Sequence, residues 1–220
     1  SHWSKYYDGF ATSPASDFAT GSHNSEETNT YLSMSIEPGG TGGTKIIHLS
    51  GSHDWFYSSN PIPVDTSHLY RGKFRVKRIN SGSDAQAGYT GSIYAGVACL
   101  DENFDQISEG PGSHRYFIGS SVRPTNDGEW VIYQGTIQGE TSTSAVGGTI
   151  NCEGGACHYG SANGAIGDTP GRFKVGTKYV KPMFIVNYSN SSSIHAVDYF
   201  TFEDLTGGNQ ENPYIDEVSS

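Results

Sequence analysis

Tyr70-Arg-Gly-Lys-Phe-Arg-Val-Lys-Arg-Ile79 decides the fold. Tyr70, Gly72, Phe74 and Val76 fall on one side of an extended chain and Arg71, Lys73, Arg75 and Lys77 on the other, which is the period of a half-buried strand. The first side reads as core. The second reads as a solvated sheet face or guarded edge, because a row of charges deters pairing between sheets. The same period recurs along the chain and predicts strands over 30–37, 44–49, 53–58, 62–65, 91–100, 115–118, 129–137, 179–188 and 195–202. Turn signals separate them: Gly39-Gly40, Gly42-Gly43, Ser81-Gly82, Asp127-Gly128 and Gly147-Gly148. Tyr179-Val-Lys-Pro-Met-Phe-Ile-Val-Asn-Tyr188 is apolar on both faces for much of its length, so it is expected at the centre of a sheet. Pro182 within it marks a bulge or an unpaired amide.

Short strands at regular spacing imply an all-β sandwich or barrel, and the absence of a fixed-period repeat argues against a propeller or solenoid. The composition agrees. Twenty-nine glycines and 14 tyrosines among 220 residues, with 16% charged, suit tight turns and pleated, half-wet surfaces. A single β-sandwich domain over 1–205 is the expectation. Residues 141–176, rich in Gly, Ser and Thr, form a long loop insertion, and residues 206–220 an acidic tail or linker.

Thirteen Lys and Arg against 23 Asp and Glu give a net charge of −10, which repels phosphate backbones and anionic lipid. Nucleic acid and membrane insertion are therefore poor partner expectations. No apolar stretch approaches the roughly 20 residues of a membrane helix, and no signal segment opens the chain, which reads as a piece of a longer precursor or assembly. Of the three cysteines, Cys99 reads as a small buried hydrophobe. Cys152 and Cys157 are separated by Glu-Gly-Gly-Ala, a turn flexible enough for a disulfide. Two free thiols are the open alternative. A metal at Cys152, Cys157 and His158 lacks a fourth ligand nearby and matches no zinc spacing.

From about Ile62 to Leu205 the segments follow a familiar order: Ile62-Pro-Val-Asp65, Tyr70 to Lys77, Tyr94-Ala-Gly-Val-Ala-Cys-Leu-Asp101, Trp130-Val-Ile-Tyr-Gln-Gly-Thr-Ile137, Tyr179 to Phe184, and Ala196-Val-Asp-Tyr-Phe-Thr-Phe202. This order resembles the galactose-binding-like jelly rolls, found as carbohydrate-binding modules of polysaccharide-degrading enzymes and as domains of phage tail fibres and tailspikes. The resemblance covers about two thirds of the chain. It implies a jelly-roll β-sandwich of two antiparallel sheets, an extracellular setting (secreted or on a virion surface), and an oligo- or polysaccharide partner. It also implies a structural calcium. Asp198 matches the family's last-strand aspartate, and Asp8 and Asp17 supply carboxylates near the start of the chain. Calcium wants six to eight oxygens, so Asp198 alone is no site.

Catalytic signatures are missing: no nucleophile elbow, no His-Glu-x-x-His, no phosphate loop and no dinucleotide fingerprint. Asp101, Glu109, Glu129 and Glu140 cannot be paired for glycoside hydrolysis from sequence. His114-Arg115-Tyr116 has the residue types of a polysaccharide lyase, but neighbours on a strand point oppositely, leaving His114 and Tyr116 on one face and Arg115 on the other. Binding asks less, namely aromatic rings that stack on sugars beside polar groups that bond hydroxyls. His53-Asp-Trp-Phe-Tyr57 places His53, Trp55 and Tyr57 on one face and Asp54 and Phe56 on the other. If Phe56 is core, Trp55 and Tyr57 make a platform; if Trp55 is core, the cluster is packing. Asn187 and Tyr188, beside the 189–193 loop, are expected to line a rim.

The leading expectation is thus a non-catalytic glycan-binding domain of a phage tail protein or a secreted polysaccharide-active enzyme. The alternatives are a structural virion or adhesin spacer contacting other chains, including copies of itself, and a polysaccharide lyase or hydrolase.

Overall fold

The computed structural model describes residues 18–20, 33–39, 45–50, 54–58, 61–80, 92–107, 114–124, 127–142, 151–153, 157–158, 170–188 and 193–206. In chain order the strands are β1 (Phe18–Thr20), β2 (Ser33–Pro38), β3 (Lys45–Ser50), β4 (Asp54–Ser58), β5 (Ile62–Pro63), β6 (Tyr70–Asn80) and β7 (Ser92–Leu100). They continue with β8 (His114–Pro124), β9 (Trp130–Thr141), β10 (Asn151–Glu153), β11 (Cys157–His158), β12 (Gly171–Lys174), β13 (Tyr179–Tyr188) and β14 (Ile194–Asp204).

They make two sheets. The first runs β1-β4-β13-β7-β8-β11 with β5 also on β13, and the second runs β10-β9-β6-β14-β3-β2 with β12 also on β9. Every pairing is antiparallel except β12 with β9. The eight strands β3, β4, β6, β7, β8, β9, β13 and β14 divide so that one sheet reads β4-β13-β7-β8 and the other β3-β14-β6-β9. That interleaving is the strand order of a jelly roll, two Greek keys wrapped into a sandwich. The all-β jelly roll implied by the sequence is the fold.

Period two explains the core. On β6, Tyr70, Phe74 and Val76 are buried. Facing them from the first sheet are Ile93, Ala95, Val97 and Cys99 of β7 and Val180 and Phe184 of β13. Phe74 meets Phe184 across the sandwich with ring centroids 5.0 Å apart, and Tyr70 stacks on Phe202 at 5.1 Å. Each such ring contributes about 1.5–3 kcal/mol by leaving water. Cys99 is fully buried as expected, and burial pushes its thiol pKa up.

Three local findings refine the sequence reading. The 141–176 stretch is not a plain loop, because β12 lies within it, parallel to β9, and inserts Phe173 into the core. Lys174, next to it and almost wholly buried, donates from Nζ to the Ile107 carbonyl at 2.5 Å. Pro182 falls between the β5 and β4 pairings of β13, where neither neighbour pairs with it, so on that flank its missing amide breaks no ladder. β8 is longer than the four residues expected, running from His114 to Pro124.

Candidate functional site

The direction of the β4 strand is settled by pairing. Phe56 sits opposite Phe184, a fully buried core residue, whereas Trp55 sits opposite Ile185 and Tyr57 opposite Met183. Directly paired residues of an antiparallel ladder share a face, so Trp55 and Tyr57 hold register positions on the side of the first sheet turned away from the core. Continuing across the sheet, Ile185 pairs with Tyr94 and Met183 with Gly96, while Gly96 pairs with Tyr116 and Ala98 with His114. One outer face therefore collects the positions of Trp55, Tyr57, Tyr94, Tyr116 and His114 from three strands.

The described rings of that face cluster. Tyr94 and Tyr116 lie with centroids 5.0 Å apart, and His114 Nδ1 is 3.2 Å from the Tyr116 hydroxyl. Ala98, His114, Met183 and Ile185 are buried on this face, while Tyr94, Tyr116, Lys181 and Tyr179 stay half-exposed. Gly96 is needed where it is. A Cβ there would come within 2.0 Å of the Arg115 carbonyl oxygen, because β8 bulges toward β7 between the Ala95 and Gly96 pairings. A bulge in β13 between Ile185 and Tyr188 sets Tyr188 opposite Ser92, two residues from Tyr94 and on the same register face; Asn187 falls inside that bulge. His53 lies outside the described residues.

Arg115 points the other way, opposite core residue Val97, and donates to the Thr141 carbonyl at 3.1 Å. The His-Arg-Tyr set is thus divided between two faces, as alternation requires. The carboxylates considered for hydrolysis are occupied in turns. Asp101 accepts the amides of Asn103 and Asp105 at 2.8 and 3.0 Å, and Glu140 accepts from the Thr66 hydroxyl at 2.9 Å and the Gly176 amide at 3.3 Å. Glu129 is exposed and Glu109 lies outside the described residues.

Asp198 is the extra residue of a bulge in β14, between Val197 opposite Val76 and Tyr199 opposite Arg75. Its buried carboxylate carries the Arg75 guanidinium, so a calcium ion there would have to displace an internal cation. Among the described residues no three His, Cys, Asp or Glu side chains come together to hold a metal; Asp8 and Asp17 lie outside them. Cys152 belongs to β10 at the edge of the second sheet and Cys157 to β11 at the edge of the first, and their side chains lie outside the description.

No protein-family model and no curated protein sequence matches the chain. Solved structures similar to it include a Family 16 carbohydrate-binding module, at 12% identity and a TM-score of 0.37, covering 80% of this chain and 89% of that one. A seed lectin of Lotus tetragonolobus is similar at 8% identity and 0.39, with 81% and 94% covered. The enzymatically active domain of a tailspike protein of bacteriophage CBA120 is similar at 12% identity and 0.37; the match covers 79% of this chain but 18% of the tailspike domain. The fold assignment stands on the strand order itself.

Proposed function

We propose that the chain is a non-catalytic glycan-binding domain whose sugar lies on the outer face of the β4-β13-β7-β8 sheet, serving as a targeting or receptor-binding part of a larger extracellular protein such as a phage tail protein or a secreted polysaccharide-active enzyme. One observation carries this reading: the β4 register puts Trp55 and Tyr57 on the face that already holds the Tyr94, Tyr116 and His114 cluster. Aromatic rings on a preformed sheet stack against the apolar side of a pyranose, while tyrosine hydroxyls bond its hydroxyl groups; buried His114 braces the Tyr116 hydroxyl from below. A net charge of −10 favours a neutral sugar over a polyanionic one.

A glycan array followed by affinity electrophoresis on soluble polysaccharides tests the reading. Trp55→Ala and Tyr116→Ala are each expected to weaken retention about tenfold while leaving the fold intact. Retention unchanged in both variants, or oligomers that retain no sugar, removes it in favour of a spacer; new reducing ends or unsaturated products would instead mark an enzyme.

The structural calcium implied by the resemblance stays part of the proposal with Asp8 and Asp17 as its carboxylates, and Asp198 joining only by giving up Arg75. A melting temperature about 5 °C higher in calcium than in chelator is the expected result. Superimposable melts remove the calcium.

A further inference from the structure

Phe104 and Tyr179 form an aromatic pair that the core does not use. The loop after β7 is folded by Asp101, whose N–H donates to the Asp105 carbonyl at 2.9 Å and whose carbonyl accepts the Phe104 N–H at 3.2 Å. Its carboxylate accepts the backbone N–H groups of Asn103 and Asp105. The turn drives Phe104 to φ 66°, the left-handed region that a bulky side chain adopts only at a cost and that glycine adopts freely. The ring that results is displayed, 53% exposed, with its centroid 4.4 Å from that of Tyr179. A large apolar ring on a strained backbone, turned outward, contributes little to folding.

Its position gives it a use. Tyr179 is opposite Leu100 on β7, and six positions along β13 Ile185 is opposite Tyr94. Both belong to the outer face of the first sheet, so the Phe104–Tyr179 pair and the Tyr94–Tyr116 pair stand at opposite ends of one surface, about 20 Å apart at the rise of a strand. Half-exposed Lys181, two residues from Tyr179, offers a donor between them. We infer that Phe104 and Tyr179 are a second stacking subsite and that the ligand is an extended neutral glycan chain reaching from one aromatic pair to the other, not a terminal sugar. This inference rests on the glycan-binding reading. The separation spans several sugar rings, more than a mono- or disaccharide covers.

Calorimetric titration with gluco-, xylo- and galacto-oligosaccharides, as disaccharides and as hexasaccharides, tests it on the full chain. Phe104→Gly removes the ring and relieves the left-handed backbone, so folding is not at risk. It is expected to bind the hexasaccharide about tenfold more weakly, to bind the disaccharide unchanged, and to melt no lower than the parent. Tyr116→Ala is expected to weaken both lengths. If Phe104→Gly binds the hexasaccharide as the parent does while Tyr116→Ala loses it, the second subsite is overturned and the glycan reading stands. If Phe104→Gly loses both lengths equally, the chain-length argument fails. If the parent binds no sugar of either length, both readings fall.

Discussion

The two sheets turn very different outer faces to their surroundings. That of the first gathers rings and small residues: Tyr94 and Tyr116 in contact, His114 beside them, and Trp55 and Tyr57 in register with them. That of the second gathers the cations of β6 and closes them on itself. Arg71 pairs with Glu203 at 2.5 Å, Arg75 holds buried Asp198, and Trp130 lies under Arg75 and Lys77 at 4.2 and 4.7 Å from its ring centre. Both faces follow the same two-residue period, so pattern alone does not distinguish them. What distinguishes them is whether their groups are consumed internally. A face whose charges are matched by its own neighbours gains little from a partner, whereas the edges of Tyr94 and Tyr116 keep part of their surface in water above a buried floor of Ala98, Met183 and Ile185.

The contrast breaks most severely at Gly96. With a Cβ 2.0 Å from a backbone oxygen, Gly96→Ala must push β8 away from β7; a loss of about 3 kcal/mol or more in denaturant unfolding is expected, and sugar retention falls with it. Stability within about 0.5 kcal/mol of the parent would mean that the strands are not so closely apposed. Next in size is Arg75→Met on the opposite face. It strips the counter-charge from a carboxylate whose side chain is 1% exposed and removes a cation from Trp130, for an expected cost of about 3 kcal/mol with sugar binding untouched. Sugar binding lost in parallel with stability would show that the two faces are not independent. The smallest effect is assigned to the double change Lys73→Gln with Lys77→Gln, within about 0.5 kcal/mol in stability and without change in glycan retention. A marked loss of retention there would move the site to the second sheet.

Much of the fold is legible in the sequence because alternation is a local code. The expected bounds of β6 fall within one residue of the observed ones and those of β13 coincide with them, and Tyr70, Phe74 and Val76 mark the core side of β6 correctly. β12 escapes such a reading because its four residues sit in a Gly/Ser-rich stretch and Phe173 gives no period by itself. The face of Trp55 is not legible at all. Alternation offers two sides, and which one is core depends on Phe184, 128 positions after Phe56. The surroundings of Asp198 are hidden for a similar reason: the bulge that sets it beside Arg75 is invisible in Ala-Val-Asp-Tyr-Phe, so the guanidinium on its carboxylate is not foreseen. Phe104 carries no signal, since nothing in its residue type announces a left-handed turn.

β14 lies between β3 and β6 and pairs with both, Val197 opposite Ile47 on one side and Val76 on the other. The second sheet thus has its seam closed by the strand made last among these three, and until β14 arrives β3 and β6 are not hydrogen-bonded to each other. Closure over such sequence distances is slow compared with local turn formation. A chain emerging from the ribosome would therefore present two unpaired strand edges from the time β6 is made until β14 follows it, and the charges along β6 stand where a premature partner would otherwise dock.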